Sequence, residues 1–410
     1  MIDRRRFGLG ALAAPALASL APPAWAAGSG ARPGPFMLGA DVTWIAEDEA
    51  AGAEYFVDGA KMDPFAILTG AGFNYVRLRT FVNPENGYSR REPQNRWGGL
   101  EQTLKLARRI KDAGMGLALS FHYSDTWADP EHQTPPAAWA NMSLTEMAVA
   151  LHDHTRANIA ALKAAGTPVD MAVIGNETTF GMLWPKGRVP FTVPTGNATT
   201  DASHRLVTDA GGFDGFATLM KAGIAGAKAA DPAVKIQIHN HLGRHWPIVQ
   251  NWTDELLKRG VDFDVLGLSC YQQAKEGDWK RTLDGFVERY PGKGVLAAEY
   301  SSRKRYVNDL FHDVPDNRGW GTFIWEPTRH QEAIFDQDGH NAGEGARPNL
   351  LSQGANAAEA PGATPPGAAP APRPARPAGP RPMGRGGRYD ANSLLGEYRK
   401  IAADYGLKRK

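Results

Sequence analysis

The chain has a single cysteine, Cys270, among its 410 residues, so no intrachain disulfide can form and folding must rest on burial alone. It lacks any apolar run of the roughly 20 residues needed to span a bilayer. The longest candidate, Leu9–Leu20, falls short, which argues against a membrane anchor. Excess charge is missing too. There are 46 Lys and Arg against 44 Asp and Glu, and the surplus sits within Asp3–Arg6; beyond it the signs balance. A neutral body offers no electrostatic footprint for nucleic acid or for an anionic membrane. Nor is there a Walker phosphate loop, a dinucleotide-binding G-x-G-x-x-G or a G-x-S-x-G elbow. Phosphate, hydride and serine-nucleophile chemistry therefore have no support, and no cofactor is called for.

What is present begins with a processing signal. Asp3-Arg4-Arg5-Arg6-Phe7 is a twin-arginine pattern, the apolar run follows, and Ala24-Trp25-Ala26 offers an A-x-A cleavage site. Residues 1–26 are expected to be removed on export to the periplasm or medium, leaving 27–35 as a short linker. Twin-arginine export carries folded proteins, which agrees with an exported chain that uses no disulfide. Nothing in the sequence demands more than a monomer.

From Phe36 onward, short apolar runs alternate with helix-like segments. Strands are expected at Phe36–Val42, Tyr75–Thr80, Gly116–His122, Met171–Glu177, Lys235–Asn240, Val265–Tyr271, Gly294–Tyr300 and Gly321–Pro327. Most lack polar alternation, as parallel strands covered on both faces do. Between them, Leu100, Leu104, Ala107 and Ile110 form a stripe closed by Gly114. Ser143 and Glu146 make a capping box ahead of Met147, Leu151, Thr155, Asn158, Ile159 and Leu162. Eight such units predict an α/β fold, a (β/α)₈ TIM barrel forming a single domain over residues 36–341. Residues 342–387 are dominated by Ala, Pro, Gly and Arg and are expected to be disordered. A helical stripe then resumes (Leu394, Leu395, Tyr398, Ile401, Tyr405), so the low-complexity stretch reads as an insertion in the last βα loop. The final helix is expected near Asp390, within residues 388–410.

Barrels of this kind place their sites at the C-terminal strand ends. Those ends carry Asp41, Arg77, Arg79, His122, Asn176, Glu177, His239, Tyr271, Glu299 and Trp325. Two glutamates close apolar runs, Glu177 and Glu299, on strands that face each other across the mouth. A carboxylate there is costly unless paired, hydrogen-bonded or used. Glycosidic cleavage needs two: one protonates the leaving oxygen, the other attacks the anomeric carbon or activates water. Each could instead merely pair with an arginine such as Arg77. Trp127, Trp184, Trp325 and Trp246 are candidate sugar platforms, since pyranose C–H faces pack on aromatic rings. His122, Asp125, Asp129 and His132, or His239, His241 and His245, could suggest a metal. Without cysteines or a matching third-strand ligand set, no metal is expected.

Several segments together resemble one known family. They are Gly39-Ala40-Asp41-Val42, Asn74-Tyr75-Val76-Arg77-Leu78-Arg79 with Val82-Asn83-Pro84, and Phe121-His122-Tyr123-Ser124-Asp125-Thr126-Trp127-Ala128-Asp129-Pro130. Further along come Ile174-Gly175-Asn176-Glu177 with Gly181-Met182-Leu183-Trp184-Pro185, Asp264-Val265-Leu266-Gly267-Leu268-Ser269, and Phe323-Ile324-Trp325-Glu326-Pro327. In this order they are similar to the endo-β-1,4-galactanases of glycoside hydrolase family 53. The resemblance implies a retaining enzyme acting on galactan or arabinogalactan by double displacement. By position it makes Glu177 the acid/base and Glu299 the nucleophile, held ionised by Arg77. Asn176 would touch the sugar 2-hydroxyl, and Trp325 would floor the cleaved sugar. The nucleophile is then expected to have a low pKa and the acid a raised one, with carboxyls about 5–5.5 Å apart. The remaining strand-end and loop residues, Asp41, Arg79, His122, Asp125, Trp127, Trp184, His239 and Tyr271, are expected to bind substrate.

The chain departs from that pattern at Cys270-Tyr271-Gln272-Gln273, where the family has Tyr-Tyr-Pro-aromatic, and at His239-Asn240-His241-Leu242, where it has His-Leu-Asp. Tyr300-Ser301-Ser302 also replaces the usual Thr and aromatic-Pro pair. The loop after Glu299 is short, removing much of the region where bacterial members often hold calcium. Two other readings stand beside galactan cleavage: a retaining hydrolase of another β-glycan or short β-galactoside, and a carbohydrate-binding barrel without turnover.

Overall fold

The computed structural model describes residues 29–190, 193–194, 201–202, 210–271, 278–329, 332–337 and 383–408. The expected signal, 1–26, and residues 342–382 of the expected insertion lie outside them. Eight parallel strands close a barrel: β1 (Met37–Asp41), β2 (Tyr75–Thr80), β3 (Gly116–Phe121), β4 (Met171–Ile174), β5 (Lys235–Asn240), β6 (Val265–Ser269), β7 (Gly294–Tyr300) and β8 (Gly319–Trp325). Each pairs with the next, and β1 closes the ring against both β2 and β8. The chain is thus a (β/α)₈ barrel, as expected. The eighth strand starts two residues earlier than its apolar pattern suggests, and the fourth ends at Ile174 rather than at Glu177.

The barrel helices are α1 (Pro64–Gly70), α2 (Leu100–Asp112), α3 (Leu144–Ala164), α4 (Gly212–Ala230), α5 (Trp246–Lys258), α6 (Asp278–Arg289), α7 (Lys304–His312) and α8 (Ser393–Asp404). Local chemistry sets their ends. Ser143 and Glu146 form the reciprocal capping box of α3, supplying partners for orphan N–H groups. Gly114 takes φ 73 just past α2, where a side chain would be strained. The expected stripe of α3 is buried throughout.

Strand alternation sorts the core into two layers. Met37, Ala118, Met171, Val265, Leu296, Ala298, Trp320 and Phe323 cluster with Tyr75 inside the barrel. Their neighbours of opposite parity, such as Leu38, Leu117, Ile236, Leu266 and Val295, pack against the helices. Climbing the inner face from Tyr75 therefore leads to Arg77 and Arg79, from Ala118 to Ser120 and His122, and from Val265 to Ser269 and Tyr271.

Strand β7 breaks that parity at the decisive place. Leu296 and Ala298 point inward, so strict alternation would turn Glu299 outward. Register shifts on both sides, at Leu268/Ser269 and between Ala297 and Tyr300, mark a bulge. Glu299 follows Ala298 to the inside, while Tyr300 joins the helix-facing layer. A bulge re-aims a side chain in this way beside a site.

A second, four-stranded sheet runs in the order Phe335–Gln337, Gly387–Ala391, Ala53–Val57, Ala60–Lys61. It adds an element that was not expected ahead of the final helix near Asp390. A strand comes first there, paired in parallel with Ala53–Val57, and the helix starts at Ser393 under an Asn392 cap.

Candidate active site

Arg77 organises the mouth. Its Nη1 donates to Asp41 Oδ2 and Glu299 Oε1, both at 2.7 Å. Its Nη2 donates to Asn176 Oδ1 at 2.6 Å and Ser120 Oγ at 3.1 Å. The second oxygen of Glu299 accepts from Tyr271 Oη at 2.8 Å. Three strands and one loop thus converge on the guanidinium that β2 supplies. Asn176 also donates from Nδ2 to Ala128 O at 2.9 Å, which fixes the orientation of its amide.

Glu177 lies in a different setting. It follows Gly175 (φ 81) and itself takes φ 47, a left-handed conformation that costs a bulky residue of order 1–3 kcal/mol and gathers at functional sites. Its Oε1 accepts from Ser269 Oγ at 2.6 Å. Among the described residues no cation bonds to it.

The protonation preferences differ accordingly. Burial lifts the Glu177 carboxyl well above the ordinary range, and the nearby Glu299 charge lifts it further. Burial also raises Glu299, but there Arg77 and Tyr271 work against it. The expectation of a low pKa at Glu299 is therefore corrected: its enclosure outweighs its arginine. What separates the pair is the cationic partner, which among the described residues Glu299 has and Glu177 does not. On lowering pH the first proton goes to Glu177, leaving one acid facing one carboxylate.

The remaining expected site residues fall into two groups. Trp127, Trp184 and Tyr271 are half-buried at the mouth, and Trp325 lies beneath, its ring 6.4 Å from Tyr271. Others are committed to the scaffold. Asp125 spends its oxygens on the N–H groups of Asn83 and Ala137. His122 Nδ1 accepts from Ala128 N, so its proton sits on Nε2, and burial keeps the ring neutral. His239 is fully buried behind Glu177, beyond reach of a substrate. Arg79 is enclosed as well, bonded to Glu326, Glu47 and Tyr88 and packed 4.2 Å from the Trp127 ring. Burial, against the pull of Arg79, lifts Glu47 to about 7. Trp246 packs on Gly285 and Tyr290, between α5 and α6, and is no platform. The histidine–aspartate groups are not gathered: His132 pairs with Asp129 at 2.9 Å, apart from the committed His122 and Asp125.

Sequence reasoning missed Ser120, Ser269, Trp44 and Tyr88. The two serines share inner parity with His122 and Tyr271, and that signal could have found them. Trp44 packs edge-on with Trp127 and Trp325 at 5.6 and 5.5 Å and donates from Nε1 to Tyr88 Oη; nothing local marks it.

Known proteins share this layout. Residues 37–309 match the model of glycosyl hydrolase family 53. The arabinogalactan endo-β-1,4-galactanase of Humicola insolens is 31% identical over 325 residues, spanning 70% of this chain and 88% of that one. The enzyme of that name from Cellvibrio japonicus (strain Ueda107) is 31% identical over 328 residues, spanning 72% and 80%. A chain solved in a study of two fungal β-1,4-galactanases superposes with a TM-score of 0.60 at 29% identity, spanning 72% and 90%.

Proposed function

Since the chain belongs to glycosyl hydrolase family 53, we propose that it is a retaining endo-β-1,4-galactanase acting on galactan or arabinogalactan. The observation that carries this reading is the pair Glu177 and Glu299, both enclosed at the barrel mouth, Glu299 buried and Glu177 half-buried, and unlike in partners. Glu299, held by Arg77 and Tyr271, is the carboxylate that attacks the anomeric carbon. Glu177, holding its proton, donates it to the departing glycosidic oxygen. In the second step Glu177 takes a proton from water, whose oxygen displaces Glu299. Trp325 floors the cleaved sugar, with Trp127 and Trp184 as further platforms. We also propose that the enzyme works outside the cytoplasm, after loss of residues 1–26.

Product analysis on linear β-1,4-galactan, arabinogalactan, xylan and mannan tests the reading. Galactan-specific oligosaccharides are expected from the wild type, with a loss of about 10²–10⁴-fold in Glu177→Ala. Cleavage of another glycan alone would keep the mechanism and move the substrate. Silence on all four would favour a binding protein.

A further inference from the structure

His239 stands two bonds away from any reacting atom, yet its connections leave no freedom in where protons can lie. Its Nδ1 accepts from the backbone N–H of Glu177 at 3.3 Å, and a ring nitrogen that accepts carries no proton. Burial keeps the imidazole neutral, with Arg77, His241 and His122 adding to the effect, so the single ring proton sits on Nε2. Nε2 lies 3.0 Å from Ser269 Oγ and must donate to it. The serine hydroxyl has one proton of its own, and it goes to Glu177 Oε1 at 2.6 Å. Oε1 is then an acceptor whether Glu177 is ionised or not.

We propose that His239 and Ser269 are positioning residues for the acid/base: the histidine fixes the serine as a donor, and the serine fixes Oε1 as proton-free, so Oε2 alone carries the transferred proton. The inference rests on the retaining-hydrolase reading above. In the first step the Oε2–H bond breaks and the proton joins the leaving oxygen, as the C1–O bond breaks and a bond from C1 to Glu299 forms. In the second, water gives its proton back to Oε2 and its oxygen to C1, releasing Glu299. The bond from Ser269 is the same in both steps, so nothing behind the carboxyl has to reorganise between them. Without it the two oxygens become interchangeable and the proton spends time on the wrong one.

The test is Ser269→Ala, with Ser269→Thr as the variant that keeps the hydroxyl. The readout is kcat/KM on galactan against that on a dinitrophenyl β-galactoside, whose leaving group departs without protonation. The ratio is expected to fall about tenfold or more in Ser269→Ala and to recover in Ser269→Thr. The charged and titratable groups around Glu177 are Glu299, Arg77, Asp129, Tyr271 and the His239 ring, kept neutral by burial, and none of them is altered. Losing a donor to the carboxyl destabilises its ionised form, so the alkaline limb of the galactan profile should move upward. An equal loss on both substrates with an unmoved limb would overturn the proposal and make the hydroxyl structural. Titration of Glu177 by carboxyl ¹³C NMR reads the same device without substrate. An upward shift in Ser269→Ala is expected, and an unmoved titration overturns the relay even if the galactan reading stands. Should galactan prove the wrong substrate, the NMR shift still decides.

Discussion

Arg77 shows how much one residue can hold. With its two terminal nitrogens it meets two carboxylates, an amide and a hydroxyl, all buried. Lysine could supply the charge but not the fork. Arg77→Met should therefore do more than silence the site, because it strands Asp41 and Glu299 together in the interior. Breaking a buried pair from one side costs about 3–5 kcal/mol. The sign of its pH dependence follows. Burial already raises the Glu299 carboxyl, and without the opposing arginine it titrates higher still in the folded state than in the unfolded chain, so folding holds its proton more tightly. That part of stability is present at low pH and is lost as pH rises through the folded value. Urea unfolding should show the deficit of Arg77→Met growing from acid to neutral pH; a constant deficit would mean the carboxylates find other partners. Arg77, Glu177 and Glu299 were legible in the sequence because a charged group ending an apolar strand demands an explanation. The functions of His239 and Asp125 were not. Both types suit a sugar, and only coordinates reveal that their polar atoms are already spent on Glu177 N and Ser269, or on loop N–H groups.

Among the elements, the eight strands were legible because each is a short apolar run followed by a period-3.6 stripe. Departures arose where pairing, rather than local pattern, decides. The bulge in β7 has no sequence mark, yet it turns Glu299 inward. The sheet that joins Ala53–Val57 to Gly387–Ala391 unites segments too distant in sequence for periodicity to link. Pairing also sets a packing constraint between β1 and β8. Gly39 and Phe323 are register partners, and a Cβ on Gly39 would overlap the Phe323 ring. The glycine is there for room, and the phenylalanine fills it. Gly39→Ala should destabilise by about 1–3 kcal/mol, the usual cost of overpacking, seen as a lower Tm. Adding Phe323→Leu should return part of that loss, so the pair is expected to be non-additive. Strict additivity would place the strain elsewhere than this contact.

For the whole molecule, the question is whether the Pro- and Ala-rich stretch matters to the barrel. Its flanks are anchored without it. On one side Phe335–Gln337 pairs antiparallel with Gly387–Ala391, and Gln337 donates to Gly386 O at 2.9 Å. On the other, Met383 N donates to Glu92 and Arg385 N to Asp48, which also binds Arg329. The far end therefore returns to Asp48 after β1 and to Glu92 after β2, the near end pairs with the strand that follows it, and α8 completes the ring. A connection between points already held close costs entropy that grows with its length, about 0.6 kcal/mol per doubling. Replacing residues 338–382 by a short Gly/Ser linker should thus raise stability by about 1–2 kcal/mol and leave galactan cleavage intact. Chemical unfolding and product analysis on the shortened chain check both. Lower stability would mean that the stretch packs on the barrel, and lost cleavage at unchanged stability would mean that it serves the substrate.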